Sequence, residues 1–414
     1  MSQNMSAEIP SETRIAITRP VLDEQESAAV DAVLNSGWVV QGPRVAEFER
    51  MVSEYTGARH AVATTSCTTA LHLALLAAGI GPGDEVILPA FTFIATANAI
   101  EYVGARPVFV DISLDTFTIS PDAVRKYINR NRIGRKSSVK AIVPVSLFGL
   151  CANMAAIHEI ARDSGLVVIE DAACGMGAKR QEFHAGREAL AGVFSFHPRK
   201  VITTGEGGML ITDNDELAAL ARKLRDHGAS ATDLQRHLTE GGSLLPEYDH
   251  LGYNYRMTDI QGSIGVVQMG KLEKILAGRK RAAARYDYLL QNDRCLRMPY
   301  IPDGYTHAYQ SYVCLYKASR FWRESAVDWD QIDIWNKERN RLMKSLEEGG
   351  ISVRQGTHAV HALGYYKKKY GFGDHDFPMS FIADRLSLTL PLYSDMTDAD
   401  QIRVVTAVKR ETAA

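Results

Sequence analysis

The sequence predicts an α/β sandwich: a largely parallel sheet with helices on both faces, followed by a smaller α+β domain. Three observations predict it. Seven short apolar runs punctuate the first half of the chain: Ala61–Ala63, Glu85–Leu88, Val108–Val110, Ala141–Val145, Leu166–Ile169, Val193–Phe196 and Met209–Ile211. Their continuously apolar character marks strands covered on both sides, as in parallel sheets. Helical stretches separate several of them, at Thr68–Ala78, Ala95–Tyr102, Asp122–Asn129 and Ala155–Asp163, and this alternation is the α/β signature. Finally, 414 residues, 46% hydrophobic and 23% charged, suffice for one large core and a second, smaller one.

Taken in order, residues 1–14 are polar and read as a disordered leader. A helix is expected from Glu24 to Gly37, where Ala28, Val30, Ala32, Val33 and Leu34 supply the apolar positions and Gly37 the stop. A second runs from Arg44 to Tyr55 and stops at Gly57. The strand–helix alternation follows. Ser230–Tyr248, polar and rich in glycine, reads as a long loop. Two helices are then expected, Asp259–Lys274 and Arg279–Asn292, with a strand at Tyr312–Leu315, a helix near Asn336–Glu348, a strand at Ile351–Arg354 and a closing helix from Asp398. The large domain is drawn at residues 15–271 and the small one at 272–414.

The formal net charge of -2, from 47 basic and 49 acidic residues, offers no basic field for nucleic acid. No apolar run approaches the length that spans a bilayer, and the polar start is unlike a signal peptide, so the cytoplasm is the expected address. Cys67, Cys151, Cys174, Cys295 and Cys314 are odd in number and scattered, unlike a disulfide framework or a zinc site. No metal is expected.

The most informative stretch is Ser195-Phe196-His197-Pro198-Arg199-Lys200 with Thr203-Thr204-Gly205-Glu206-Gly207-Gly208. It puts Lys200 just beyond a strand's carboxyl end, where open α/β sheets bind ligands. A lysine in partly apolar surroundings is expected to lose proton affinity and become an amine nucleophile; alone, it also reads as a solvated surface residue. Leu166–Ile169 delivers Asp171 to the same edge, where a carboxylate can hold a proton on a ring nitrogen or simply cap a turn. Thr64-Thr65-Ser66-Cys67-Thr68-Thr69 lies between a strand and a helix. It reads equally as an N-cap and as a phosphate site, and both can hold together. Ser195 offers another hydroxyl beside Lys200.

These residues resemble the DegT/DnrJ/EryC1/StrS family of sugar aminotransferases. The likeness includes Gly81-Pro82-Gly83-Asp84-Glu85-Val86-Ile87, Pro89-Ala90-Phe91-Thr92-Phe93, Glu170-Asp171-Ala172-Ala173, Gly252-Tyr253-Asn254-Tyr255-Arg256-Met257 and Leu390-Pro391-Leu392-Tyr393, with the Lys200 stretch. It implies the type I pyridoxal-phosphate (PLP) fold of aspartate aminotransferase, with pyridoxamine phosphate as the alternating form. Lys200 would hold PLP as a Schiff base and shuttle the proton. Asp171 would pair with the pyridine nitrogen, and Phe93 would stack on the ring unless it is a core aromatic. Ser66, Cys67, Thr68 and Ser195 would surround the phosphate. Asn254 would reach it from the neighbouring subunit of a homodimer.

Two departures stand out. Cys67 replaces the family's usual glycine, which implies a slightly altered phosphate cup or an unusual side-chain contact. Cys174 replaces the usual Gln or His beside the cofactor's phenolic oxygen, and a thiol is only a weak donor. Arg256 reads either as a contact to a substrate anion or as a structural ion pair, and His197 as loop packing rather than catalysis. His184, His307, His358 and His361 are candidates for sugar contacts, or scattered surface residues.

The activity implied is transfer of an amino group from an amino acid, glutamate by resemblance, to a 4-keto or 3-keto nucleotide-linked deoxysugar. A keto cyclitol is an alternative acceptor, and a non-catalytic PLP-binding regulator an alternative role. Related 3-dehydrases carry His where Lys200 stands.

Overall fold

Alternate residues of each central strand enter different cores, which is how a sheet buried on both faces is built. Val62, Leu210, Val193, Ile169 and Leu88 pack with one set of helices. Ala61, Met209, Ile211 and Phe194 face a second set, and Ile87, Val108, Ile142 and Val168 a third. The computed structural model in which this is seen describes residues 14–131, 138–231, 246–317 and 327–412.

The seven-stranded sheet comprises β1 (His60–Thr64), β2 (Glu85–Pro89), β3 (Arg106–Val110), β4 (Val139–Ile142), β5 (Val167–Asp171), β6 (Ala191–Ser195) and β7 (Gly208–Thr212), in the order β1-β7-β6-β5-β4-β2-β3. Only β7 runs against its neighbours. All seven expected strands are present. The helices of the large unit are α1 (Glu24–Ser36), α2 (Pro43–Thr56), α3 (Cys67–Ala77), α4 (Ile94–Tyr102), α5 (Pro121–Asn131), α6 (Met154–Ser164) and α7 (Asp215–Arg225). Gly37 and Gly57 close α1 and α2 in the left-handed conformation that glycine adopts without strain.

The two helices expected after Asp259 are one, α8 (Asp259–Leu290), of 32 residues. Gly278 marks the expected break, but it answers a packing need instead. A Cβ there would overlap the backbone of Ser394, so glycine lets the C-terminal segment cross the helix closely. The position 271/272 lies inside this helix. Its first half packs on α1 and α2, and its second half on α12 (Asp398–Thr412), which follows α9 (Trp329–Glu348), α10 (Gly364–Tyr370) and α11 (Pro378–Leu386).

A three-stranded antiparallel sheet, β8 (Leu296–Arg297), β9 (Tyr312–Tyr316) and β10 (Ser387–Leu390), completes the C-terminal unit. Ile351–Arg354 is not a strand. It makes single bridges, Ile351 with Ile15 and Arg354 with Thr389, because its partners lie in two different segments. The leader lies outside the described residues except Arg14, whose guanidinium meets Glu347 and Ser352. Most of the loop expected at Ser230–Tyr248 (232–245) also lies outside them; its described ends pair, the Ser230 N–H with the Glu247 carbonyl at 2.9 Å. Among the described residues no helix is long and apolar enough to cross a membrane.

Candidate active site

Sheet order, not chain order, assembles the site. Thr64 at the end of β1 pairs with Gly208 at the start of β7, and Gly208 pairs with Ser195 at the end of β6. Asp171 ends β5, with Val193 of β6 opposite. Three segments far apart in the chain thus meet at the carboxyl edge of the parallel strands.

Ser66 caps α3. Its Oγ accepts the Thr69 N–H at 3.2 Å, and Thr69 Oγ1 accepts the Ser66 N–H at 3.1 Å. The N–H groups of Cys67 and Thr68 have no acceptor among the described residues. A helix start with free N–H groups suits a phosphate. Gly208 keeps this turn open, since a Cβ there would overlap the Ser66 carbonyl and the Cys67 amide. The Ser195 hydroxyl is buried beside it and accepts the His197 N–H at 3.5 Å.

Asp171 is only 4% exposed. Its Oδ2 accepts the Thr96 hydroxyl at 2.7 Å and its Oδ1 the Ala173 N–H at 3.1 Å. Burial pushes its carboxyl upward, while Thr96, Ala173 and Lys200 restrain the rise. The Lys200 loop is tied at its base, Phe196 N–H to the Gly207 carbonyl at 2.9 Å and Thr204 N–H to the Phe196 carbonyl at 3.0 Å. Lys200 Nζ donates to Cys174 Sγ at 3.2 Å.

The electrostatics correct one expectation. Burial alone would drive the proton off Lys200, but Cys174 and Asp171 outweigh it and hold the amine above its ordinary value. Apolar surroundings therefore do not by themselves free this amine. Burial likewise pushes the Cys67 thiol well up, with Asp171 and Cys174 adding to the effect.

Phe93 is 63% exposed and so is no core aromatic. It caps α4 two positions after Phe91, and Thr96, one turn on, holds Asp171. Tyr253 and Tyr255 stack on each other at 5.0 Å, and both approach His72. Asn254 between them is left exposed, while the Tyr255 carbonyl accepts the Thr65 N–H at 3.0 Å. The structure thus brings Ser66, Cys67, Thr68 and Ser195 to one corner. It sets Lys200, Asp171, Cys174 and Cys67 within electrostatic reach of one another.

Arg256 pairs with Asp226 at 2.6 Å, the structural alternative. His197 Nδ1 accepts the Arg199 N–H at 3.2 Å, which is loop packing. The histidines are not scattered over the surface: His184, His307 and His361 are buried, and only His358 is exposed. His184 accepts the Gly177 N–H, and burial lowers it to about 4; His307 accepts the Tyr309 N–H and is lowered by burial to about 3. Both serve as neutral braces of backbone turns.

Three contributors escaped the sequence reading. Thr96 orients Asp171, Gly208 opens the turn, and Gln310 Nε2 donates to the Arg199 carbonyl at 2.7 Å, tying the C-terminal unit to the Lys200 loop. Gly208 alone left a signal, as a glycine opening an apolar run.

These residues fit a phosphorylated pyridine aldehyde: a cup with free N–H groups, a buried carboxylate and an amine at one sheet edge. The comparisons agree. The family model of the DegT/DnrJ/EryC1/StrS aminotransferases matches residues 20–409. The chain is 37% identical to the spore coat polysaccharide biosynthesis protein SpsC of Bacillus subtilis over 390 residues, 94% of this chain and 95% of that protein. Spr1654 of Streptococcus pneumoniae, solved in its PMP-form, superposes with a TM-score of 0.85 at 27% identity, covering 96% of this chain and 99% of that one. PseC of Helicobacter pylori, an aminotransferase involved in the biosynthesis of pseudoaminic acid, superposes at 0.83 with 25% identity, covering 96% and 99%. With the sheet, the edge site and these matches in agreement, the chain belongs to the DegT/DnrJ/EryC1/StrS aminotransferase family and is a PLP-dependent transaminase of that fold.

Proposed function

We propose that the chain moves an amino group from L-glutamate to a 4-keto or 3-keto group of a nucleotide-linked deoxysugar, in amino-sugar or polysaccharide biosynthesis in the cytoplasm. The observation that carries the chemistry is the meeting of Lys200 and Asp171 at the edge beside the Ser66–Thr68 turn. The sugar acceptor is supported by SpsC, named for spore coat polysaccharide biosynthesis, and by the solved sugar aminotransferase Spr1654.

In this reading PLP, when bound, supplies the electron sink that lets an amine-bearing carbon lose its proton. The N–H groups of Cys67 and Thr68, with the hydroxyls of Ser66 and Ser195, hold the phosphate. Asp171 keeps a proton on the pyridine nitrogen, and Phe93 covers a ring face. Cys174, in contact with Lys200, would be placed to face the cofactor's phenolic oxygen. Lys200 would hold the cofactor through its amine and, once freed, carry the proton to and from the substrate carbon.

The test is a panel of keto nucleotide sugars incubated with the enzyme, PLP and L-glutamate, with products read by mass spectrometry. Exchange of a carbonyl oxygen for an amine on one sugar, with 2-oxoglutarate formed in equal amount, is expected. Amination confined to keto cyclitols, or none, would overturn the acceptor assignment.

Asn254, exposed between two inward-packed tyrosines, completes the phosphate site of a neighbouring subunit in a homodimer. Mixed refolding of Lys200→Ala and Asn254→Ala chains, each inactive or weak alone, tests this. Half of the dimers formed are mixed, and each holds one site with both residues intact. Recovery of roughly a quarter of wild-type activity is therefore expected. No recovery would place Asn254 in its own subunit's site.

A further inference from the structure

We propose that Cys174 is a positioning residue for Lys200, its sulfur holding the amine in place and governing how readily that amine is released to react; this rests on the reading of Lys200 as the cofactor's anchor. Among the described residues, the Lys200 amine makes one hydrogen bond, to Cys174 Sγ at 3.2 Å. The sulfur is itself set by backbone. Ala172 O accepts the Gly175 N–H at 2.7 Å and Gly175 O the Ala178 N–H at 2.8 Å, which folds the chain back just after β5. Gly175 suits that turn because a Cβ would press on Ala185 and Ala172. This turn sets the Cys174 backbone on the Lys200 side of the strand end, from which the sulfur reaches the amine.

An imine forms when the nitrogen lone pair attacks an aldehyde carbon. The C–N bond is made, the carbonyl oxygen leaves as water, and no electrons are gained or lost overall. An ammonium has no free lone pair, so its proton must leave first. The groups facing Lys200 are Cys67 from the start of α3, Asp171 from the end of β5, Cys174 from the turn after it, and His197 from its own loop. Burial opposes the protonated amine, and the Asp171 carboxylate and the Cys174 contact favour it; Cys67, its thiol kept protonated by burial, adds no charge. Cys174 alone is in hydrogen-bond contact. Removing its sulfur therefore loosens the ammonium more than removing Cys67 does, and moves the pH of release downward.

The measurement uses cofactor-free enzyme, so it reads the contact and not the turnover. Wild type, Cys174→Ala, Cys174→Ser and Cys67→Ala are treated with an amine-acetylating reagent across a pH series. Acetylation of the Lys200 peptide is then followed by mass spectrometry. The midpoint reports the amine's proton and the high-pH plateau its accessibility, so a change in packing is separated from a change in protonation. Cys174→Ala is expected to label about tenfold faster near neutral pH, the equivalent of one pH unit in midpoint. Cys174→Ser should fall between it and wild type, and Cys67→Ala should shift less. Equal midpoints in wild type and both Cys174 variants would overturn the proposal. Because no PLP is present, this outcome is independent of whether Lys200 anchors the cofactor, which adduct mapping decides separately.

Discussion

Lys200→Ala leaves an enzyme that folds normally, binds PLP without a covalent link and turns over at least about 10³-fold more slowly. General acid–base catalysis is worth ~10²–10⁴-fold, and this variant loses the attachment as well as the proton carrier. Folding is spared because the loop is held by backbone bonds from Phe196 and Thr204, while the amine hydrogen-bonds Cys174 alone among the described residues. The amine's raised proton affinity is stability that its removal forfeits, so the urea midpoint near neutral pH should be equal or somewhat lower. Stopped-flow single turnovers with glutamate check the rate, and partial rescue by added methylamine would separate proton transfer from a structural defect. Turnover near that of wild type would dispose of the assigned role.

Asp171→Asn is expected to lower kcat by about 10²- to 10³-fold, comparable to losing one preorganised charged contact in a water-excluded site. The shape is kept: the amide oxygen can still accept the Ala173 N–H, while the amide nitrogen, where Oδ2 stood, can donate to the Thr96 hydroxyl oxygen. Stability should move the other way. Because burial raises the Asp171 carboxyl, the cofactor-free folded state binds its proton more tightly than the unfolded chain does. Stability then falls as pH rises from the unfolded value through the folded one, and the penalty is fully present above both. Asn carries no such penalty, so cofactor-free Asp171→Asn should unfold at higher urea than wild type at pH 8 and lose that advantage in acid. PLP added in excess should narrow the gap by stabilising the wild type more. A variant both inactive and less stable at pH 8 would instead show Asp171 to be structural.

Much of this was legible in the chain because parallel strands advertise themselves. Val62 and its neighbours are apolar on both faces, so each run is visible without knowing its partners. Asp171 and Lys200 could be read because each follows such a run directly. What stayed hidden depends on contacts across the sheet or between units. The break expected between Lys274 and Arg279 is absent because Gly278, costly in a helix on local grounds, is there for its close approach to Ser394, which no local signal shows. Ile351–Arg354 looked like a strand because it is apolar enough, yet no single partner runs beside it. Thr96 carries no periodic signal; only the fold shows that its hydroxyl reaches Asp171. The Lys200 amine was misread because apolar neighbours are visible in sequence, while Cys174 and Asp171 converge on it only in three dimensions.

The covalent attachment of PLP to Lys200 is tested most directly by saturating the enzyme with PLP, reducing it with borohydride, and mapping the digest by mass spectrometry. A pyridoxyl-phosphate mass on the peptide containing Lys200, absent from Lys200→Ala treated alike, is the expected result. An adduct confined to another lysine, or no adduct at saturation, would contradict it.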